Sequence, residues 1–86
     1  MAIKVRFFAA LREQLGTDSL DIAKVPASTV DVNALLELIR QRLGDRAIEI
    51  LRAPNVRVAL NQEFVTDQCR IGDGDEIAFM PPITGG

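Results

Sequence analysis

Residues 31–44, DVNALLELIRQRLG, limit the architecture more than any other stretch. Val32, Leu35, Leu36, Ile39 and Leu43 recur at i, i+3, i+4, i+7 and i+11 and form one apolar stripe on a helix of about three turns. A single stripe must be buried against a single surface, and the rest of the chain offers strands to supply it. Asp31 precedes the stripe as an N-cap whose carboxylate can accept first-turn N–H groups. Val30 and Leu35 stand at staple positions, and Gly44 supplies a stop.

The strand candidates surround this helix. In AIKVRFF, Ile3, Val5 and Phe7 alternate with Lys4, Arg6 and Phe8, the period of a half-buried strand. AALREQLG favours a turn or two of helix closed by Gly16, and SLDIAKV, with Leu20, Ile22 and the Lys24 stem, reads as a second strand antiparallel to the first. DRAIEILRAP reads as a short helix opened by Asp45 and ended ahead of Pro54. NVRVAL then puts Val56, Val58 and Leu60 on one side of a third strand. After it, NQ turns the chain into EFV, GDGDE is turn chemistry, and EIAFM buries Ile77 and Phe79 before Pro81. The expected class is α+β, a mixed sheet packed on one principal helix, with the second sheet face left for solvent or a partner.

With 86 residues there is room for one core and one domain. A composition 48% hydrophobic and 26% charged is too apolar for disorder. Ten basic and twelve acidic residues leave a net charge of −2, without the basic excess that a phosphate backbone demands, so no nucleic-acid partner is expected. No apolar run is long enough for a signal or membrane span, so no membrane partner and a cytoplasmic location are expected. Histidine is absent and Cys69 is the single cysteine, which leaves no disulfide and no metal-ligand set. Cys69 lacks a base to make a thiolate, although Arg70 beside it would lower its pKa a little; a small residue in a connector is the favoured reading. Arg40, Arg42, Arg46, Arg52 and Arg57 form a loose basic group around the second helix, interspersed with Glu37, Asp45 and Glu49.

Strand parity carries more information. If Ile3, Val5, Phe7, Ile77 and Phe79 face the core, then Phe8 and Met80 face outward, and Phe64 can join them in an apolar patch suited to an interface. Beyond that patch the final residues form a thin rod. Pro81 and Pro82 stiffen the exit, Ile83 and Thr84 are spacer, and Gly85 and Gly86 have no Cβ to obstruct a narrow channel. Six residues reach roughly 20 Å from the body. The organisation expected is a domain over 1–80 and an extended tail over 81–86.

IKVRFFAALREQLGTD, the Asp31 helix, ALNQEFV and above all DGDEIAFMPPITGG make the chain resemble the small, sulfur-carrier subunits of molybdopterin synthase over nearly its whole length. That resemblance implies a ubiquitin-like β-grasp fold and a tail that is chemically used. It implies that a ubiquitin-activating-like adenylyltransferase spends ATP to adenylate the carboxyl of Gly86, and that a sulfur donor system displaces AMP to leave a thiocarboxylate. The tail, Pro81, Pro82, Ile83, Thr84 and Gly85 with Gly86 at its tip, then enters the large synthase subunit, where cyclic pyranopterin monophosphate becomes molybdopterin. Phe8, Phe64 and Met80 would lie at the partner interface. No cofactor is expected on the chain itself, which would be a sulfur-donating subunit without its own catalytic set. The same tail would also serve a related carrier for thiamine, tRNA or cysteine synthesis, a ubiquitin-like modifier, or an inert binding module.

Overall fold

A computed structural model describes residues 2–23, 25 and 29–81. Along the chain run β1 (Ile3–Phe7), α1 (Ala10–Leu15), β2 (Ser19–Ile22), β3 (Thr29–Val30), α2 (Val32–Leu43), α3 (Asp45–Leu51), β4 (Arg57–Leu60), β5 (Glu63–Val65), β6 (Ile71–Gly72) and β7 (Glu76–Met80). Five strands form one sheet in the order β2-β1-β7-β4-β5, and β3 pairs with β6 in a separate two-stranded ribbon. β2 is antiparallel to β1 as the alternation predicts. β1 and β7 are parallel and central, with Val5 opposite Ile77 and Phe7 opposite Phe79. β4 lies antiparallel on the other side of β7, and β5 completes the edge. The β-grasp architecture is therefore present, a mixed sheet curled around its principal helix.

That helix is built as its sequence dictates. The Asp31 carboxylate accepts from the Ala34 N–H at 2.8 Å, satisfying one of the orphan donors of the first turn. Val32, Leu35, Leu36 and Ile39 are buried, while Leu43 is half-buried against the same cluster. Burial of a Leu or Ile side chain stabilises by about 1.5–3 kcal/mol, so the stripe fixes the helix on the sheet. Gly44 then adopts φ 93° and joins α2 to α3 as a single residue, its N–H bonding the Arg40 carbonyl at 2.8 Å. A side chain is disfavoured at that φ, which accounts for glycine there. Asp45 is the first residue of α3 rather than its cap, since Gly44 holds the cap position and has no side chain to serve it.

Ile3, Val5 and Phe7 of β1 and Ile77 and Phe79 of β7 meet the helix layer. The Phe7 and Phe79 rings stack with centroids 6.0 Å apart. Val56, Val58 and Leu60 are half-buried against this core. α1 and α3 share the covering layer with α2, so the sheet meets three helical segments where the sequence stresses one. The β3–β6 ribbon is a further addition. Each of its strands has two residues, Val30 opposite Ile71, and so short a pairing leaves no periodicity to read. The Lys24 reading lies outside the described residues.

Candidate functional site

Two poles of β7 frame the molecule. At its start the Asp75 carboxylate accepts from the Gly72 N–H at 2.7 Å and from the Asn61 amide at 3.1 Å. The Asn61 side-chain oxygen accepts from the Glu76 N–H at 3.0 Å. These partners hold the Asp75 carboxyl below the usual carboxylate range, the Gly72 N–H acting most strongly and the Asn61 amide next. At its end β7 delivers Met80 and Pro81 to the surface beside Phe8, whose N–H still bonds the Phe79 carbonyl at 3.2 Å.

The sheet face opposite the helices turns toward this second pole. Phe64 is 56% exposed and Phe8 37%, and Met80 is half-buried, so the outward placement that parity demands of Phe8 and Met80 is observed and Phe64 joins them. The register arranges them around two alanines. Ala59 pairs with Ala78 on one side and Phe64 on the other, Arg6 pairs with Ala78, and Arg57 pairs with Met80. Although they point away from the helices, Ala59 and Ala78 are only 2% and 6% exposed, because the longer side chains around them rise past a single methyl. The result is a depression of about 440 Å³ with an alanine floor, walled by Phe8, Phe64, Met80, Arg6, Gln62 and Glu76.

Two arginines stand over its aromatic walls. The Arg6 guanidinium sits 5.1 Å from the centroid of the Phe8 ring, and that of Arg57 sits 4.7 Å from the Phe64 ring. Such a contact attracts the cation to the ring face without using up a hydrogen-bond acceptor. Glu76 stands 3.9 Å from Arg6. Arg57 has no carboxylate within 4.0 Å among the described residues.

The basic group expected around the second helix is dispersed. Arg40 makes a two-pronged pair with Glu37 at 3.0 and 3.1 Å and reaches Asp45 at 3.4 Å. Arg42 donates to the Asp21 carbonyl at 3.3 Å, pinning α2 to the edge strand, and Arg52 reaches the Asn33 side chain. Arg57 belongs to the opposite face of the sheet. Proximity in sequence misplaced it; Arg6 was read only as part of the alternation and Ala59 and Ala78 were not singled out, although the parity that placed Phe8 and Met80 outward applies to them too.

Cys69 is half-buried against the core on the connection from β5 to β6. Burial, and then the Asp31 carboxylate, push its thiol up, so the small lowering expected from Arg70 gives way to a shift in the opposite direction. Among the described residues no group of three His, Cys, Asp or Glu is placed to hold a metal. No helix among them is long and apolar enough to cross a membrane.

Pro81 lies on the rim of a second hollow of about 600 Å³, where Ala9 and Leu11 face Ile50 and Val56. Ala9 there takes φ 52° and ψ −129°, with the Phe8 carbonyl accepting from the Leu11 N–H at 3.1 Å. That is the first central position of a type II′ turn, a place that favours glycine. Pro82, Ile83, Thr84, Gly85 and Gly86 lie outside the described residues.

The ThiS family model matches residues 5–86, which takes in both walls of the depression and the final glycines. The chain belongs to the ThiS family. It is 40% identical over 84 residues to the molybdopterin synthase sulfur carrier subunit of Escherichia coli K12, spanning 98% of this chain and 99% of that one. This ThiS-family fold also superimposes on SAMP1 of Haloferax volcanii with a TM-score of 0.80, over the full length of both chains at 22% identity, a likeness of fold alone. A chain from the complex of subunits 1 and 2 of molybdopterin-converting factor of Helicobacter pylori 26695 matches with a TM-score of 0.65 and 25% identity, again over the whole of both chains.

Proposed function

We propose that this chain is the sulfur carrier of a molybdopterin synthase, with Gly86 as the residue that holds the sulfur. The observation that carries the reading is the near full-length identity to the Escherichia coli carrier subunit, with a family match that runs to Gly86. The Helicobacter pylori complex supports a large-subunit partner, since a chain of this fold is found there in the assembly of subunits 1 and 2.

The chemistry needs little from the carrier's side chains. A carboxylate is a poor electrophile, so the activating adenylyltransferase joins the Gly86 carboxyl to the AMP portion of ATP and releases pyrophosphate. Sulfur from the donor system attacks the acyl carbon, AMP leaves with the bonding pair, and a thiocarboxylate remains. Its sulfur is the nucleophile offered to cyclic pyranopterin monophosphate. The sulfur bonds to a pterin carbon as an oxygen substituent leaves that carbon with the bonding pair, and water then cleaves the acyl–sulfur bond and restores the carboxylate, one sulfur being delivered per carrier. On this reading ATP is consumed by the activating enzyme, the carrier itself holds no cofactor, and the protein works in the cytoplasm.

Pro81, Pro82, Ile83, Thr84 and Gly85 give Gly86 its reach, and Phe8, Phe64 and Met80 seat the body against the large subunit. The test is intact mass after incubation with ATP, a sulfur donor and the cognate activating enzyme. Exchange of one oxygen for sulfur adds about 16 Da, located at Gly86. Deletion of Gly86 should abolish the gain and all sulfur transfer while leaving the thermal midpoint unchanged. An unmodified wild-type chain, under conditions that load an authentic carrier, overturns the proposal.

A further inference from the structure

Among the described residues, Arg57 is the charge beside the depression that no carboxylate answers. It pairs in register with Met80 and stacks on Phe64, so any surface that covers those two apolar side chains also covers the guanidinium. Removing an arginine from water without an anion costs several kcal/mol, more than the burial of one methionine and part of one phenylalanine returns. Arg6 is in a different position, because Glu76 stands beside it. The Phe64 ring lies 4.7 Å from the guanidinium carbon and holds the Arg57 cation beside the depression, and a guanidinium is suited to a two-pronged bond to a carboxylate.

We infer that the surface seated on this depression presents an aspartate or glutamate to Arg57, next to an apolar side chain that rests on Ala59 and Ala78. The inference rests on the sulfur-carrier reading for the identity of that partner, the large synthase subunit. Arg57 is thus a determinant of partner choice. A large subunit with an apolar or basic residue facing Arg57 would be rejected even if its contacts to Phe8 and Met80 were sound, since the mismatch buries an unpaired charge.

Titration calorimetry against the large subunit of the same organism, at low and high salt, tests this with wild type, Arg57→Leu, Arg57→Glu and Arg6→Leu. Arg57 is exposed, so all variants should keep the wild-type melting midpoint, which is measured first. Arg57→Leu should weaken binding roughly 10-fold and flatten its salt dependence, and Arg57→Glu should weaken it roughly 100-fold or more. Arg6→Leu should weaken it less than Arg57→Leu. Binding of Arg57→Glu within about threefold of wild type, or an Arg57→Leu variant that keeps the wild-type salt dependence, overturns the inference and leaves the sulfur-carrier reading intact. A wild-type chain that fails to bind the large subunit overturns both.

Discussion

The two ends of β7 are built by opposite rules. At the start of the strand, Asp75, Asn61 and Gly72 close on one another through hydrogen bonds, and Asp73 accepts from the Ala2 N–H at 2.7 Å. At the finish, the neighbouring side chains are Phe8, Met80, Phe64 and Arg57, two of them large apolar groups open to water. One end is completed within the chain; the other has apolar area and a cation that nothing among the described residues completes. A small domain has few interactions to spare, and here the polar ones are concentrated where the strand begins. On the proposed function, the exit of the tail is the end that the large subunit would finish.

The sharpest way to break this contrast is at the polar pole. Asp75→Ala should lower stability by about 1–2 kcal/mol, because it removes a charged acceptor from the part-buried Gly72 N–H and from Asn61. The folded Asp75 carboxyl lies below its ordinary 3.8, so its stabilisation is complete above that ordinary value and is lost as the pH falls through the lowered one. Melting curves should therefore show the gap between wild type and Asp75→Ala narrowing as the pH is lowered below 3.8. A gap that is constant with pH would show that the carboxylate charge is not what holds this pole.

Next in size is Ala9→Gly at the other pole. Relief of the positive-φ turn should raise stability by up to about 1 kcal/mol, measured by urea unfolding, although part of the gain is offset by the greater freedom of glycine in the unfolded chain. A loss of stability would mean that the Ala9 methyl packs in the hollow beside Pro81 by more than the turn costs. Smallest is Phe64→Ala, expected to change folding stability by no more than about 0.5 kcal/mol because the ring is mostly exposed. The same variant should weaken large-subunit binding, which separates a residue kept for contact from one kept for the core. A large drop in melting midpoint would place Phe64 on the wrong side of the comparison.

Much of this was legible in the sequence because the relevant rules are local. The Asp31 cap, the stripe from Val32 to Leu43 and the alternation in β1 and β7 each depend on neighbours within a few residues, and each predicted its side of the molecule correctly. Phe8 and Met80 followed from parity, and Phe64 was added as a residue able to join them. What could not be read depends on which strands become neighbours. The burial of Ala59 and Ala78 on the outward face arises only when β1, β4, β5 and β7 lie side by side, so that Phe64, Arg6 and Met80 surround them. Ala9 gave no signal, since the positive φ it adopts is one that sequence rules assign to glycine. Arg57 was grouped with the helix arginines by its number, whereas a strand on the far side of the core separates it from them.

The parallel pairing of β1 with β7 also governs when the protein can come into being. β7 is the last strand of the fold in sequence and its middle in space, flanked by β1 and β4. Until the ribosome has released residues 76–80, β1–β2 and β4–β5 are two separate antiparallel pairs with no strand between them and no continuous sheet for α2 to cover. Closing that gap joins the first strand made to the last, a long-range pairing of the kind that slows folding. A chain that lacks β7 therefore lacks the strand that joins its two strand pairs, and is expected to be open to proteolysis. An activating enzyme that recognises the folded body would meet only finished molecules.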